Sequence, residues 1–369
     1  MTNLITPYFS KNNIPVVLAS DNNYTPFVAV TIHSILTSHS PQNNYDIIIL
    51  SDNISEDNQK RIKTIVNNFN NFSIRFFDVS QHLQKQTLFV DRYFTSSAYA
   101  RIFIPQILKN YSKAIYIDCD IIVQKDIATL YNIPIDNNLL IAVEDIWGHP
   151  ARIKNKLFCN QPRQDYTINT LKMTDYLDYF NSGVLVFNIA QMLQEKTLEK
   201  CLNAIKNISN PLCHDQDILN TVTYKQVKLI PYKYNYVECF NISSSAFSIL
   251  PKKNQIDYIN AQQDPYLIHY AGSDKPWTSP KNYLNDIWWY HARKTPFYEE
   301  IILKHLISSS NSNSIIKDTF CYNKYLISYH YHKMISFFTF GKTKNKHKIL
   351  KRELKTKLKN IKKFISEDK

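Results

Sequence analysis

The segment KAIYIDCDIIV, residues 113–123, holds the pattern that decides the fold. Its apolar run, residues 114–117, has the length and composition of a buried strand, and it ends on Asp118-Cys119-Asp120. Residues two apart in an extended segment share a face, so both carboxylates can reach one hard cation. Two like charges at a buried strand are unfavourable unless a cation or an arginine balances them. The pattern predicts a divalent metal site at a strand end, and a chance Asp-x-Asp in a loop is the alternative.

The sequence around this segment alternates between short apolar runs and segments with helical spacing. Residues 27–36 and 62–69 have the helical spacing, and the second of these follows a Ser55-Glu56-Asp57 start. Such alternation predicts an α/β fold with a mostly parallel sheet, whose ligands bind beyond the carboxyl ends of the strands. Asp21 and Asp118 both fall there. The other strands predicted in this half are residues 14–19, 47–50, 74–77 and 139–143.

The second half of the chain is irregular and rich in aromatic residues. Residues 179–189 and 266–270 are predicted strands, the latter the last strand of the core, and residues 192–205 are a predicted helix. A run of serine and asparagine, residues 308–314, is typical of a linker. We therefore divide the chain into a main domain (1–306), a linker (307–314) and an aromatic and basic C-terminal appendage with a helical stretch (315–369).

Glycine content excludes two common nucleotide-binding motifs. The chain has only four glycines, at positions 148, 183, 272 and 341. The dinucleotide fingerprint and the P-loop both need several closely spaced glycines to bring backbone N–H groups to phosphates, and no window supplies them. A nucleoside diphosphate bound here would need a metal ion and cationic side chains instead.

The net charge of +13 belongs mostly to the C-terminal tail. Residues 342–369 hold eleven lysines and one arginine against three carboxylates, a net +9, which leaves +4 for the rest. The main body therefore need not bind polyanions, and no nucleic-acid partner is expected. In the tail, apolar residues recur at three- and four-residue steps, which predicts a helix lying on an anionic membrane surface. Packing on the protein's own body and a solvated nucleic-acid tail are the alternatives. The stripe consists of Leu350, Leu354, Leu358, Ile361 and Ile365.

Cysteine usage and hydropathy predict a cytoplasmic protein. The six cysteines show no paired C-x-x-C spacing, and reduced thiols are the simplest interpretation. No early apolar stretch resembles a signal peptide, and no run reaches the roughly 18 apolar residues of a membrane-spanning helix. With the basic tail, this predicts a protein that is peripheral on the inner face of the cell membrane.

Five short motifs, in matching order over approximately residues 14–290, closely resemble the family 8 glycosyltransferases. This retaining, metal-dependent group includes bacterial lipopolysaccharide galactosyl- and glucosyltransferases and the glycogenins. The resemblance implies the GT-A nucleotide-sugar-binding fold for the main domain. The motifs are Asp21-Asn22-Asn23-Tyr24, Asp118-Cys119-Asp120, Phe180-Asn181-Ser182-Gly183 before a strand, His214-Asp215-Gln216-Asp217 at a helix start, and residues 269–277.

The resemblance assigns a metal and diphosphate site. Asp118 and Asp120 match the family's metal-binding pair, and His269 matches its third ligand. Two carboxylates and an imidazole suit Mn²⁺, and Mg²⁺ could substitute. Gly272 would allow close backbone approach, and Lys275 would hold the departing diphosphate. Without the resemblance, the alternatives are that His269 is an ordinary histidine at a strand end and that Lys275 is a surface lysine.

The same resemblance assigns the donor site. Asp21, Asn23 and Tyr24 match the segment that grips uridine and ribose, although Asp and Asn also favour turns and helix caps. Arg101 matches an arginine near the sugar and phosphates. The residues matched to the nucleotide-sugar site also include Cys119, Asn181, Asp215 and Gln216.

The predicted reaction follows from Gln216, which the resemblance places opposite the reactive carbon. Gln216 stands where a double-displacement enzyme would need a carboxylate, and a neutral amide is a poor nucleophile. This favours front-side displacement, with charge stabilised by Asp118, Asp215 and the metal. In the alternative without a catalytic role, Asp215 is only part of the acidic first turn of a helix.

The sequence therefore predicts a retaining hexosyltransferase that uses UDP-galactose or UDP-glucose. Its acceptor would be a bacterial surface glycan that is lipid-linked, such as lipopolysaccharide. A non-catalytic module that binds a nucleotide sugar or a polyanion is the alternative. A nucleotidyltransferase fits less well, since no basic loop for a triphosphate is evident.

Overall fold

The computed structural model describes residues 5–86, 88–89, 96–158, 161–237, 247–279, 284–309, 351 and 355. The chain divides into two compact units, one of Met1–Pro276 with Pro280–Glu299 and one of Trp277–Ser279 with Glu300–Lys369. The apolar stripe predicted in the tail lies outside the described residues. None of the helices in the described part of the chain is long and apolar enough to cross a membrane.

The strands form three sheets within the described residues. The largest has the order β10-β6-β9-β4-β1-β2-β3, a smaller one has the order β11-β12-β5, and β7 and β8 form a short hairpin. The strands are β1 (Asn13–Asp21), β2 (Asn44–Asp52), β3 (Phe72–Asp78), β4 (Lys113–Ile117), β5 (Ile121–Val123), β6 (Leu140–Glu144), β7 (Leu157–Phe158), β8 (Gln161–Pro162), β9 (Phe180–Asn188), β10 (Val227–Leu229), β11 (Tyr236–Val237) and β12 (Leu267–His269).

The large sheet is mostly parallel, as predicted. Strand β1 pairs in parallel with β2 and β4, β2 with β3, and β10 with β6, whereas β9 runs antiparallel to both β4 and β6. The interior residues of β1, β2 and β4 are almost wholly buried because helices cover the sheet. The parallel register brings Asp21 and Asp52 together at the carboxyl edge, which Asp118 also reaches.

Helices and short 3₁₀ segments connect the strands. Ser55 caps α2 by accepting a hydrogen bond from Asn58 N at 3.3 Å, as its Ser-Glu-Asp start predicts. The α-helices are α1 (Thr25–Ser38), α2 (Glu56–Lys63), α3 (Ser80–Gln84), α4 (Ile104–Ile107), α5 (Ala128–Tyr131), α6 (His149–Ile153), α7 (Arg163–Asp165), α8 (Ile189–Gln194), α9 (Thr197–Asn207), α10 (His214–Thr223), α11 (Lys252–Gln263), α12 (Asn285–Ala292) and α13 (Tyr298–Ser309).

Three local expectations differ from the structure, whereas residues 266–270, the predicted last strand of the core, do supply the buried strand β12, which lies in the small sheet. The predicted helix 192–205 is broken between α8 and α9 at Lys196, whose φ of +53° is left-handed. Residues 180–183 lie inside β9 rather than before it. Helix α13 extends into the predicted linker as far as Ser309.

Candidate active site

The predicted metal ligands come together at the junction of the two larger sheets. Asp118 and Asp120 lie in the turn between β4 and β5, and His269 ends β12, where it pairs opposite Ile121 of β5. His269 Nε2 lies 3.3 Å from Asp120 Oδ1 and 3.9 Å from Asp118 Oδ2. The carboxylates converge because the chain turns here, and not through the strand alternation assumed from the sequence. Backbone hydrogen bonds hold this turn, from Asp118 N to Gly183 O at 2.9 Å and from Tyr270 N to Asp120 O at 3.1 Å.

A chain of hydrogen bonds places a proton on Nδ1 of the His269 ring. The backbone N–H of Gly183 donates to Asn181 Oδ1 at 2.9 Å, so the group of Asn235 that lies 2.8 Å from the same oxygen must be its amide Nδ2. Asn235 Oδ1 therefore faces His269 Nδ1 at 2.9 Å and accepts its proton. In the neutral ring, the other nitrogen, Nε2, presents a lone pair to the two aspartates.

These three facing groups fit a divalent cation. Asp120 Oδ1 is buried and accepts no hydrogen bond within the described part of the chain. A lone pair of His269 and two carboxylate oxygens pointing at one another repel unless a positive charge lies between them. The ligand atoms of Asp118, Asp120 and His269 all lie within 4.8 Å of one another. A mixed oxygen and nitrogen set of this kind suits Mn²⁺ or Mg²⁺.

Two glycines make room for this arrangement. A Cβ on Gly183 would lie 2.3 Å from His269 Cε1, so only glycine permits the ring to approach β9. Gly272 has a φ of +85°, a left-handed conformation that side chains rarely adopt. A Cβ there would also come within 2.8 Å of the Trp147 ring. Sequence reasoning identified Gly272 as a close-approach residue but did not anticipate either neighbour.

Lys275 supplies positive charge directly at the carboxylate pair. Its ammonium forms an ion pair with Asp120 Oδ2 and donates to Tyr270 O at 2.8 Å. Burial would raise the pKa of Asp120, but the Lys275 ammonium outweighs it and holds that pKa well below its ordinary range. Lys275 is therefore a buried cation of the site and not a surface lysine, which was the alternative from the sequence alone.

Arg101 joins the metal ligands to the predicted sugar site. It lies in the 3₁₀ helix Ser96–Phe103, and its guanidinium is 2.9 Å from Asp118 Oδ1 and 3.0 Å from Asp215 Oδ2. It also donates to Ser182 O at 2.6 Å and lies 4.4 Å from the centre of the Tyr116 ring. Burial would lower the pKa of Arg101, but the two aspartates raise it above its usual value, so the group stays charged.

Asp215 and Gln216 begin α10 with fixed side chains. Burial raises the pKa of Asp215 to about 6. The positive charge of Arg101 lowers this pKa in part, and the negative charge of Asp118 raises it further. Gln216 Oε1 accepts from Ser182 N at 2.9 Å, and its Nε2 donates to Tyr179 Oη at 3.2 Å. The preceding His214 has a φ of +49° without being glycine, a strained conformation of the kind that clusters at functional sites. The amide of Gln216 is therefore held in place by both of its ends.

A cavity of about 130 Å³ lies at the carboxyl edge of the large sheet. The predicted nucleotide residues Asp21, Tyr24 and Cys119 line it together with Arg101 and Lys275. Asp21 Oδ1 accepts from the backbone of Asn23 at 2.8 Å and of Tyr24 at 3.0 Å, so the segment is also the turn that sequence reasoning held as the alternative. Asn23 lines neither this cavity nor the larger one beside it.

A larger cavity of about 430 Å³ adjoins the first, since Arg101, Asp118, Asp120 and Lys275 line both. Its wall unites the remaining predicted site residues, so every one of them except Asn23 borders one of the two cavities. Sequence reasoning missed several other lining residues, most of which come from the irregular segment between β6 and β9. The predicted residues on this wall include Asn181, Asp215, Gln216, His269 and Gly272, and the missed ones include Asp145, Trp147, Phe158, Arg163 and Cys213.

Comparisons with known proteins agree with this geometry. The chain is 28% identical over 269 residues to General stress protein A of Bacillus subtilis (strain 168), a match that covers 72% of this chain and 87% of that protein. It is 24% identical over 321 residues to Lipopolysaccharide 1,2-glucosyltransferase of Escherichia coli (strain K12), with 86% of each covered.

Solved structures give the same result for the fold. The bifunctional glycosyltransferase WbbM matches with a TM-score of 0.74 and 30% identity over 82% of this chain, which spans 53% of the length of WbbM. The galactosyltransferase LgtC, solved with donor and acceptor sugar analogues, matches with a TM-score of 0.63 and 20% identity over 77% of this chain and 96% of LgtC.

The fold and site define a glycosyltransferase of the GT-A class. The family model described as glycosyl transferase family 8 matches residues 15–281. The chain belongs to this family, and the resemblance found in the sequence motifs is confirmed.

Proposed function

We propose that the protein is a retaining hexosyltransferase that moves galactose or glucose from its UDP-sugar to a bacterial surface glycan. The observation that carries this proposal is the continuous array from the Asp118, Asp120 and His269 trio through Arg101 to Asp215. Such an array can hold a diphosphate at one end and a sugar at the other. A module that only binds a nucleotide sugar would not need the buried acidic group next to the sugar site.

The smaller cavity is the proposed site of the nucleotide. Tyr24 offers an aromatic ring for the pyrimidine, and Asp21 offers a carboxylate for ribose or base. Asp21 keeps this capacity although one of its oxygens accepts two backbone hydrogen bonds, because a carboxylate can accept several. Asn23 is proposed only as part of this turn, since it does not line the cavity.

The metal trio and Lys275 are the proposed diphosphate site. A bound Mn²⁺ or Mg²⁺ would supply Lewis-acid stabilisation of the leaving diphosphate. Asp118, Asp120 and His269 would hold it, with the ring oriented by Asn235. Lys275 lies in the same place and adds a second positive charge where negative charge develops.

The larger cavity is the proposed site of the transferred hexose and its acceptor. We propose front-side displacement, in which the acceptor hydroxyl oxygen bonds to the anomeric carbon as the bond to the diphosphate breaks on the same face, and the hydroxyl proton passes to the departing diphosphate oxygen. Gln216 has its amide oxygen engaged by Ser182 N, which further disfavours it as a nucleophile. Asp215, held by Arg101 at 3.0 Å, would stabilise positive charge on the sugar ring.

A relative and the charge of the C-terminal tail support the proposed acceptor and location. The lipopolysaccharide named for the Escherichia coli relative supports a lipid-linked glycan acceptor. We propose that residues 1–306 carry catalysis, that residues 307–314 link, and that residues 315–369 associate with the anionic inner face of the membrane. The net charge of +9 on residues 342–369 supports this location.

A donor panel tests the proposed function. The full-length protein is incubated with Mn²⁺ and each of several UDP-sugars, with and without lipopolysaccharide acceptors, and both UDP and glycan products are measured. We expect UDP-galactose or UDP-glucose to give transfer with retention at the anomeric carbon. Folded protein that binds UDP-sugars but releases UDP from none of them would instead support the non-catalytic alternative.

A further inference from the structure

The lining of the larger cavity includes residues that the donor does not require. Two large aromatic side chains are unusually exposed there, Trp147 at 40% and Phe158 at 37%. Exposed aromatic rings beside a cavity offer flat apolar faces, which suit the C–H faces of sugar rings. Arg163 lies among them, buried except for 4% of its surface.

Arg163 has only neutral direct partners. Its Nη2 donates to Cys213 Sγ at 2.9 Å, and burial raises the pKa of that thiol, so Cys213 stays uncharged. The guanidinium carbon lies 5.0 Å from the centre of the Phe158 ring and 5.7 Å from that of Tyr179. Its Nη1 is buried and has no hydrogen-bond partner within the described residues.

Two carboxylates act on Arg163 electrostatically, Asp217 and Asp145, and other groups already engage both of them. Asp217 accepts from Tyr179 Oη at 2.5 Å, from Tyr166 Oη at 2.7 Å and from Cys213 N at 2.8 Å. Across the described part of the chain, no carboxylate lies within 4 Å of the Arg163 guanidinium. The other buried arginines next to the cavity differ, since Arg101 pairs with two aspartates and Arg152 pairs with Asp145 at 2.9 Å.

A buried guanidinium without a direct counter-ion is costly, and a donor that lines a cavity can recover that cost from an anionic ligand. We propose that Arg163, with Trp147 and Phe158, forms an acceptor subsite for a sugar that carries an anionic group, a phosphate or a carboxylate. This proposal rests on the proposed function. It adds the chemical class of the acceptor, which the family and the relatives do not determine.

The anion belongs to the acceptor rather than to the donor for two reasons. The diphosphate of the donor already has the trio and Lys275, whereas Arg163 lies beside the exposed Phe158 ring in the lining of the larger cavity. Trp147 also packs against Gly272 in the loop that carries Lys275, so the aromatic wall directly borders the donor site. A sugar stacked on this wall would therefore lie beside the anomeric carbon of the donor.

Matched acceptor pairs test this proposal with the full-length enzyme, Mn²⁺ and its UDP-hexose. One pair is a phosphorylated oligosaccharide and its dephosphorylated form, and the other is a hexuronate disaccharide and its neutral hexose counterpart. We expect kcat/KM to favour the charged member of at least one pair, and the pair that responds identifies the anion. Charge-assisted hydrogen bonds to a buried cation predict a preference of about 30-fold.

Arg163→Met should abolish this preference, since its side chain has a similar length but no charge. Arg163→Lys should retain part of it, because it keeps the charge without the planar donor pair. Equal kcat/KM for both members of each pair in the wild type would overturn the proposal, whether or not the variants fold. So would an undiminished preference in Arg163→Met.

Two further outcomes separate this inference from the proposed function. Release of UDP from UDP-hexose by the wild type, with no preference for charged acceptors, leaves the proposed function standing and refutes the subsite. A UDP-hexuronic acid that is used better than UDP-hexose, with a preference that depends on Arg163, would place the anion on the donor and refute the acceptor assignment.

Discussion

Asn235→Ala should weaken metal binding although Asn235 is not a metal ligand. The substitution removes the acceptor that holds the His269 Nδ1 proton at 2.9 Å and the donor to Asn181 Oδ1 at 2.8 Å. The ring could then rotate or carry its proton on Nε2, which would block the lone pair that faces the aspartates. Loss of such a ligand-orienting hydrogen bond typically weakens metal affinity about 10- to 100-fold.

The same change should also cost stability, by an amount that the structure bounds. Asn235 is 1% exposed and loses both hydrogen bonds, each contributing about 1 kcal/mol net to the free energy of unfolding. We expect a loss of about 2 kcal/mol, measured by urea unfolding. The metal effect is measured separately, by calorimetric titration of Mn²⁺ into folded protein saturated with UDP.

Asn188→Ala is the matched control, because Asn188 ends strand β9 at the end away from Asn181, the residue that Asn235 contacts. Its amide accepts from Gln191 N at 3.3 Å as the cap of α8 and donates to Asn138 O at 2.9 Å. Its loss should cost about 1 kcal/mol of stability and leave Mn²⁺ affinity unchanged. Equal Mn²⁺ affinity in wild type and folded Asn235→Ala would refute the proposed orientation of His269.

Three further predictions concern the nucleophile, the pH dependence and the tail. Gln216→Ala should retain measurable transfer, and mass spectrometry should find no hexose on Gln216 or Asp215 of the wild type; a trapped hexose on either would overturn front-side displacement. Nδ1 of His33 lies 3.1 Å from Nδ1 of His291. Burial and the nearby Lys294 lower the pKa of His33. Burial and the neighbouring His33 lower the pKa of His291 to about 4. His291 of the unfolded chain therefore binds a proton that folded His291 does not, so the free energy of unfolding should fall as the pH drops from 6.5 to 4, by up to about 1.4 kcal/mol per pH unit. Urea unfolding of His291→Phe should show a weaker dependence of this free energy on pH. An equally steep dependence in the variant would contradict this assignment. Truncation before residue 342 should release the protein from anionic vesicles, because each lost Lys or Arg removes about 1 kcal/mol of binding free energy. Transfer to a small soluble acceptor should stay nearly unchanged. If the full chain, the truncation and a Leu354→Glu/Leu358→Glu variant co-sediment with vesicles to the same extent, the membrane role is wrong.

The large sheet was predictable because its strands are continuous apolar runs that are buried on both faces. The runs at 14–19, 47–50 and 114–117 all lie within observed strands. Strand β12 shows the limit of this reasoning, since its apolar run correctly predicted a buried strand but did not indicate to which sheet the strand belongs. Pairing partners depend on how the whole chain folds, which local periodicity does not encode.

The site was predictable where its residues form short motifs, as in Asp118-Cys119-Asp120. Asn235 could not be found this way, because it is a lone asparagine in the 3₁₀ helix Tyr232–Asn235 that reaches His269 only after β11 pairs with β12. Arg163 likewise stands in an irregular segment, and its significance lies in the missing carboxylate partner, which only the fold reveals. Sequence pattern thus identified the candidate metal ligands, and the structure identified the neighbouring residue, Asn235, that would orient one of them.

Hexose transfer with and without metal, in wild type and Asp120→Asn, tests the central claim most directly. Asparagine keeps the shape of the side chain near Lys275 but removes the charge, so the fold should persist while the cation loses a strong ligand. We predict that Mn²⁺ restores transfer from UDP-hexose to the chelator-treated wild type and not to Asp120→Asn. Full activity of the wild type in chelator, or of folded Asp120→Asn with Mn²⁺, would contradict the account.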